Sequence, residues 1–182
     1  MTATIRPAVG FVDESTRAAR YLLACTIVEL RHLADIRREL AALVLADRQR
    51  IHFVKESVAR RRQLLPTFNA LPQRTLVNVC PIGPAVTQHA ARAACLAAFV
   101  RDLLAQQVER IVLESRHSMD HDDARTIAAT RTPTPRLLYE HLVPAHEPLL
   151  WLPDAYAWAV GAGGDWRARA AAGVDDVRTV RP

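Results

Sequence analysis

The sequence predicts an α/β fold in which a mixed β-sheet carries helices on both faces. Two apolar runs separated by a short polar segment open the chain, a pattern typical of an antiparallel hairpin. Helical and strand-like patterns then alternate along the rest of the chain, as they do where helices connect parallel strands. No repeat, linker or break in composition divides the 182 residues, so we expect a single domain over residues 1–182.

The first half of the chain predicts a hairpin followed by two amphipathic helices. Residues 9–13 form a short apolar run that ends in an acid, residues 14–19 read as a polar turn, and residues 20–28 predict a second strand. Apolar positions at helical spacing predict a helix over residues 32–46. A second helix follows, and we expect Pro66 to bend or end it. Its predicted apolar face consists of Val54, Val58, Leu65 and Phe68.

The second half predicts alternating strands and helices. Strands are expected at residues 74–80, 109–114 and 136–142, the last of them short. Between them lie an Ala-rich helix over residues 85–107 and a charged helix over residues 120–129. Pro153 opens a final helix at residues 154–160, which the Gly-rich segment 161–164 ends.

Composition narrows the classes of function. The net charge of +5 is compatible with a phosphate-bearing partner, although Lys55 is the sole lysine and so strong an arginine bias also follows from GC-rich codon usage. Charged residues interrupt the most apolar stretch, residues 90–104, and the first residues lack a signal-peptide pattern. We therefore expect a cytoplasmic protein with no membrane contact. No Gly-rich phosphate loop occurs, which disfavours a nucleotide cofactor.

Three acids occupy positions where a metal site is expected. Asp13 and Glu114 each follow an apolar strand directly, and Asp154 lies in the first turn of the last helix. In open α/β sheets, groups at the carboxyl ends of parallel strands meet at one crevice. Carboxylate oxygens are the ligands that Mg²⁺ and Mn²⁺ prefer, so we expect these three residues to hold Mg²⁺ or Mn²⁺. Asp120 or Asp123 is a candidate supplementary ligand or water-positioning group.

Each acid also has a structural explanation. An acid at the position of Asp154 stabilises the helix dipole, and Asp120 and Asp123 lie where capping or first-turn acids of a helix are common. Asp13 is followed by Glu14 and Ser15, and such a polar sequence is common at the start of a turn. Glu56 and Arg60, four residues apart, form a surface pair by default.

Two further constellations have weaker support. His117 and His121 have the spacing of a zinc-binding pair on a helix, but the glutamate that follows the first histidine in zinc proteases is missing, which favours a solvated loop. The arginines at positions 60–62, with Arg48 and Arg50 before them, predict either a solvated helix face or a stripe that contacts phosphates.

Four motifs, in their order and spacing, resemble those of domain-of-unknown-function family 3800. They are FVDES at residues 11–15, IHF at 51–53, IVLE at 111–114 and LWLPDAYAWAV at 150–160. The resemblance extends from about residue 9 to residue 160. That family is placed among ribonuclease H-like folds, so the resemblance implies an opening antiparallel hairpin, parallel strands after it, and metal-dependent hydrolysis of a nucleic acid.

The resemblance also implies roles for individual residues. Asp13, Glu114 and Asp154 match the positions that bind a metal pair in ribonuclease H-like nucleases. His52 would orient a phosphate or shuttle a proton. Apart from the resemblance, we expect Arg116 and His52 to act on the scissile phosphate. The helix acid of such sites has no clear match, and Glu56 is the nearest candidate.

Two departures from the family pattern favour a second hypothesis. Thr16 stands where the family commonly has Gly, and Glu114 replaces what is often Asp. Both changes affect the expected metal site. The alternative is therefore a catalytically inactive ribonuclease H-like module that binds a protein or nucleic acid partner.

Overall fold

The computed structural model describes residues 7–132 and 137–182. The strands are β1 (Ala8–Arg17), β2 (Arg20–Glu29), β3 (Arg74–Pro81), β4 (Arg110–Glu114), β5 (Leu138–Leu142) and β6 (Asp176–Thr179). The α-helices are α1 (Leu33–Ala42), α2 (Val58–Ala70), α3 (Gln88–Ala105), α4 (Asp120–Thr130), α5 (Trp151–Ala162) and α6 (Gly164–Ala170).

The six strands form one mixed sheet in the order β5-β4-β1-β2-β3-β6. β1, β2 and β3 are antiparallel neighbours. β4 pairs parallel with β1, β5 pairs parallel with β4, and β6 pairs parallel with β3. This topology confirms the predicted opening hairpin followed by parallel strands.

Helices cover both faces of the sheet. Side chains alternate between the faces along a strand, so Phe11 of β1 packs into one core cluster and Val12 into the other. α1, α2 and α5 lie on the Phe11 face, where α5 packs against β1 and β2. α3 lies on the Val12 face, with α4 packed against it. We refer below to the α5 face and the α3 face of the sheet.

β1 is longer than the sequence predicts. Residues 14–17 continue the strand and pair with β2 as far as Arg17 and Arg20, so the hairpin turn consists of Ala18 and Ala19 alone. Ala18 adopts a positive φ of 43°, as tight hairpin turns require. The predicted polar turn over residues 14–19 is therefore wrong, because ladder pairing with the apolar strand β2 outweighs the turn propensity of these residues.

The helices differ from the prediction in extent. The helix predicted at residues 32–46 ends at Ala42, and α2 continues through Pro66 to Ala70. Pro66 lies on the exposed side of α2, so the carbonyl that it leaves without a helical donor is not in the core. Val54 and Val58 are about half exposed, so they do not belong to an apolar face. α6 and β6 were not predicted.

The described ranges contain no helix that combines the length and apolar character needed to cross a membrane. The strand expected at residues 136–142 begins at Leu138, and the first of these residues lies outside the described ranges.

Candidate active site

Parallel pairing brings Asp13 and Glu114 together. The last paired residues of β1 and β4 are Val12 and Leu113, so the next residue on each strand is the acid. Neighbouring strands lie about 4.8 Å apart. Phe11 and Val112 face α5, and Asp13 and Glu114, two residues further along, face the same side. The Glu114 side chain is close enough to Asp13 to raise its pKa.

Asp154 joins them from the first turn of α5, which packs against β1. Its Oδ2 atom accepts a hydrogen bond of 2.8 Å from the backbone nitrogen of Phe53. Phe53 lies in a separate short 3-10 turn, so the carboxylate is held by tertiary structure as well as by its position near the helix dipole.

A cavity of about 200 Å³ contains the three acids. Its other polar lining residues are Glu14, Arg50, His52 and Arg116, and its apolar walls are Ile51, Pro144, Leu150 and Trp151. Every residue in the predicted catalytic set therefore lines one cavity.

The carboxylates in this cavity repel one another. Burial raises the pKa of Asp13 well above its ordinary value, and the hydrogen bond with Glu114 and the charges of Asp154 and Glu114 raise it further. Burial also raises the pKa of Asp154, to about 7. The hydrogen bond from the Phe53 amide lowers this pKa, whereas the charge of Glu114 raises it further. Arg92 lowers the pKa of Asp13 and Arg50 lowers that of Asp154, but burial and repulsion outweigh both, so the nearby cations only partly compensate the carboxylates.

The chemistry of these donors suits a hard divalent cation, although their ligand atoms, unlike those of Asp120, Asp123 and His141, do not all lie within 4.8 Å of one another. The three acids present only carboxylate oxygens, the ligand type that Mg²⁺ and Mn²⁺ prefer. A dication would relieve the repulsion that raises the pKa of Asp13 and of Asp154. The cavity contains no cysteine and one histidine, which disfavours a zinc or copper site.

Cationic and neutral polar groups surround the acids. Arg50 Nη1 lies 3.5 Å from Glu114 Oε1, and Arg116 forms an ion pair with Glu14. Burial and the charges of Arg50 and Lys55 lower the pKa of His52, so its imidazole is neutral at pH 7. His52 Nδ1 is buried with no hydrogen-bond partner in the described residues.

The structure places Asp120 and Asp123, the predicted supplementary ligand or water-positioning groups, in a second acidic group with His141. They belong to α4, which packs on the α3 face, and neither lines the cavity. Both carboxylate oxygens of Asp123 bond to Arg92 at 2.7 Å, and His141 Nε2 lies 3.1 Å away. Asp120 accepts bonds from Ser115 Oγ at 2.8 Å and from the Arg116 nitrogen at 2.7 Å.

The second acidic group has the opposite electrostatics. Asp120, Asp123 and His141 form a cluster, found within the described residues, whose potential ligand atoms all lie within 4.8 Å of one another. Burial opposes ionisation of Asp123, yet the bonds from Arg92 and His141 leave its pKa below the ordinary value. The pKa of Asp120 is likewise lowered, because the Ser115 and Arg116 bonds outweigh its burial. This cluster already has its cation, the Arg92 guanidinium.

The remaining candidates have structural environments. Glu56 is buried outside the cavity, with Arg48 Nη1 3.9 Å from its Oε1, so the predicted pair with Arg60 is not formed. Arg60 instead donates to the Leu43 carbonyl. His117 lies in an exposed turn, as predicted, whereas His121 is exposed on helix α4, so the predicted loop is wrong for His121.

Sequence reasoning missed two residues of the cavity. The sequence pattern predicts a turn at Glu14, although an Asp-Glu pair at the end of an apolar run also indicates a second acid at the edge of the cavity. Arg50 was grouped with the basic stretch, and nothing in the sequence indicated that it would pair with Glu114.

The chain has a ribonuclease H-type fold with an acidic crevice at the carboxyl ends of β1 and β4. No known family model matches the chain, and no curated protein sequence matches it. The relationship is seen in three-dimensional structure alone.

Solved ribonuclease structures superpose on most of the chain. The ribonuclease H2 of Pyrococcus horikoshii OT3 matches with a TM-score of 0.56 and 15% identity, covering 85% of this chain and 72% of that one. A chain of the PCNA:RNase HII complex from Archaeoglobus fulgidus gives 0.54 and 16%, covering 85% and 71%. Bst-RNase HIII in complex with Mn²⁺ gives 0.51 and 14%, covering 86% of this chain and 52% of its own. These similarities establish the fold.

Proposed function

We propose that the protein is a divalent-metal-dependent nuclease that hydrolyses phosphodiester bonds of a nucleic acid. The observation that carries the proposal is the convergence of Asp13, Glu114 and Asp154 on one cavity in which the pKa of Asp13 and of Asp154 is raised. Buried carboxylates that nearby cations compensate only in part favour binding of a dication. The ribonuclease H-type fold supports the proposal, and the motif resemblance to family 3800 agrees with it.

In the proposed site, Asp13, Glu114 and Asp154 hold Mg²⁺ or Mn²⁺. A divalent ion there would activate water and stabilise the leaving oxygen of a phosphodiester. Glu14 lies on the opposite side of β1 from Asp13 and is occupied by Arg92 and Arg116. We therefore assign it to positioning Arg116 rather than to the metal.

The other polar residues of the cavity would act on the phosphate. Arg116 is half exposed at the cavity mouth, where its guanidinium suits a bidentate contact with phosphate oxygens. Arg50 would exchange its contact with Glu114 for a contact with a phosphate of the substrate. Neutral His52 is able to accept a proton at a ring nitrogen, since its pKa is below the ordinary value.

Metal binding is the first test. Calorimetric titration with Mn²⁺ should show binding to the parent and a loss of at least tenfold in affinity for Asp13→Asn and Asp154→Asn. Asp122→Asn is the matched control, because Asp122 is an exposed acid of α4 outside the cavity. Equal Mn²⁺ affinity in the parent and in both cavity variants would reject the proposal.

Cleavage is the second test. Labelled RNA, DNA and RNA–DNA hybrid oligonucleotides should be cut in Mg²⁺ or Mn²⁺ by the parent and by Asp122→Asn, and left intact by Asp154→Asn. The Arg50–Glu114 pair partly compensates one acid and favours the alternative, an inactive module. Salt-dependent binding with no cleavage of any of these substrates would support that alternative against the enzyme.

A further inference from the structure

Two arginines pack against one tryptophan beside the cavity. The Cζ atoms of Arg61 and Arg17 lie 4.3 Å and 4.9 Å from the ring centre of Trp158, within the range of cation–π contact. Phe53 and Trp166 meet the same indole edge-on, with ring centres 5.3 Å and 5.4 Å away. We call Arg17, Arg61 and Trp158 the arginine–tryptophan cluster.

The two guanidinium charges of this cluster lack an anionic partner. Arg61 donates to the backbone carbonyls of Phe53 and Val54, at 2.9 Å and 2.8 Å, which are neutral acceptors. Arg17 Nη2 is buried without a hydrogen-bond partner in the described residues. Across residues 7–132 and 137–182, neither arginine has a carboxylate within salt-bridge distance.

This arrangement is costly without an anion. Two like charges share one aromatic ring. The Trp158 side chain belongs to a residue that is only 7% exposed, and its indole Nε1 has no hydrogen-bond acceptor among the described residues. Buried donors without acceptors and unpaired charges are rare in proteins because each loses its hydration. The cluster is rich in donors and poor in acceptors, which suits a phosphate.

The cluster is connected to the candidate active site through shared elements. Trp158 lies one helical turn, about 6 Å, beyond Asp154 on α5. Arg17 lies four residues beyond Asp13 on the same side of β1, about 13 Å along the strand. Phe53 links the two directly, because its nitrogen donates to Asp154 and its oxygen accepts from Arg61. A nucleic-acid strand rises about 3.4 Å per nucleotide, so a few nucleotides span this distance.

We propose that the arginine–tryptophan cluster binds a backbone phosphate of the nucleic acid a few nucleotides from the bond held at the cavity. This inference rests on the proposed nuclease function and specifies how its substrate is held. Contact with phosphate fixes position on the strand and carries no base preference.

The test is nucleic-acid affinity as a function of salt. Fluorescence anisotropy with a labelled RNA–DNA hybrid oligonucleotide in EDTA, where metal-dependent cleavage cannot proceed, gives the Kd and its slope against KCl. Arg17→Gln and Arg61→Gln should each weaken binding about threefold to tenfold and reduce the salt slope by about 0.7–0.9, the loss of one phosphate contact.

Matched variants separate charge from folding. Arg101→Gln, at an exposed position of α3 on the other face of the sheet, should change Kd less than twofold. Arg17→Lys keeps the charge and should restore most of the salt slope. Thermal melting of each variant shows whether it is folded under the binding conditions.

The outcomes distinguish this inference from the proposed function. If Arg17→Gln and Arg61→Gln fold and bind with the parent's salt slope, the inference is wrong, whether or not the parent cleaves. If inorganic phosphate perturbs tryptophan fluorescence in the parent but both variants keep the parent's oligonucleotide slope, the cluster binds a free anion and the inference is again overturned. Reduced slopes in a protein that cleaves nothing would support the inference and reject the nuclease.

Discussion

Buried aspartates on the two faces of the sheet have opposite electrostatic environments. Asp123 on the α3 face is clamped by the Arg92 guanidinium, which lowers its pKa despite burial. Asp154 on the α5 face receives one backbone hydrogen bond, and its pKa rises to about 7 because burial and Glu114 outweigh it. The first acid is a structural ion pair, and the second is stable as an anion only beside a cation.

The pH dependence of stability follows from Asp154. Its pKa is raised from 3.8 to about 7, so the native state without metal binds more protons than the unfolded chain between these values. Stability is therefore full at low pH and falls as the pH rises through about 7. We expect the Tm in EDTA to fall from pH 5 to pH 8, and Asp154→Asn to flatten this decline. A Tm that rises across this range in the parent would contradict the assignment.

Mn²⁺ should reverse that decline. Metal binds the ionised carboxylates, so the rise in Tm produced by Mn²⁺ should be larger at pH 8 than at pH 5, measured by thermal melting at a fixed Mn²⁺ concentration. A metal-induced shift that is independent of pH would indicate binding elsewhere.

Removal of Arg92 should be severely destabilising. Arg92 is buried between Asp123, Glu14 and the Tyr21 hydroxyl, so Arg92→Leu removes the main cation from two buried carboxylates and leaves only Arg116 beside Glu14 and His141 beside Asp123. We expect a loss of about 3–5 kcal/mol in the free energy of unfolding, measured by urea denaturation. Arg38→Leu, which breaks the exposed pair with Asp35, should change it by less than about 0.5 kcal/mol. Comparable effects of the two substitutions would show that the buried network is not structural.

At the scale of elements, the C-terminal segment completes the sheet. β6 adds a parallel strand beside β3, and α6 with the short 3-10 turn after it connects α5 to that strand. The turn packs closely, because a Cβ on Gly173 would lie 2.6 Å from Asn69 Oδ1 and against the Tyr156 hydroxyl. Gln73 bonds both the Gly173 carbonyl and Tyr156 at this point.

Gly173→Ala therefore tests whether this segment is part of the core. Tyr156 is fully buried and has no room to move, so we expect a loss of about 1–3 kcal/mol by urea denaturation. Gly83→Ala is the control, since a Cβ there has no neighbour within 4 Å. A neutral Gly173→Ala would mean that the segment packs loosely.

At the scale of the whole molecule, the sheet separates two acidic groups by side-chain alternation. Asp13 and Glu14 are adjacent in sequence and both line the cavity, but side-chain alternation turns them to opposite sides of β1, so Glu14 also pairs with Arg92 on the α3 face. We expect Asp120→Asn, on the α3 face, to leave Mn²⁺ affinity within about twofold of the parent, whereas Asp13→Asn abolishes it. Loss of Mn²⁺ affinity in Asp120→Asn but not in Asp13→Asn would show that the metal binds on the α3 face instead.

Periodicity in the sequence predicted the type of most elements. Strands β2 and β3 and the helices α3 to α5 follow from apolar spacing, because side chains that share a core recur with the period of their element. The residues at the ends of apolar runs identified Asp13, Glu114 and Asp154. The end of β1, the course of α2 through Pro66 and the whole of β6 were not predictable, since ladder pairing and packing decide them.

By itself, the sequence determined the α/β architecture and the acids that follow its strands, because both are local consequences of hydrophobic alternation. Only the tertiary structure decided which acids share a cavity and which are neutralised. Asp120 and Asp123 are close to Glu114 in sequence but belong to a helix on the α3 face and do not line the cavity. Asp154 is 40 residues from Glu114 in sequence and lines the same cavity. Charge compensation depends on through-space neighbours such as Arg92 and Phe53, and those are set by how the layers pack.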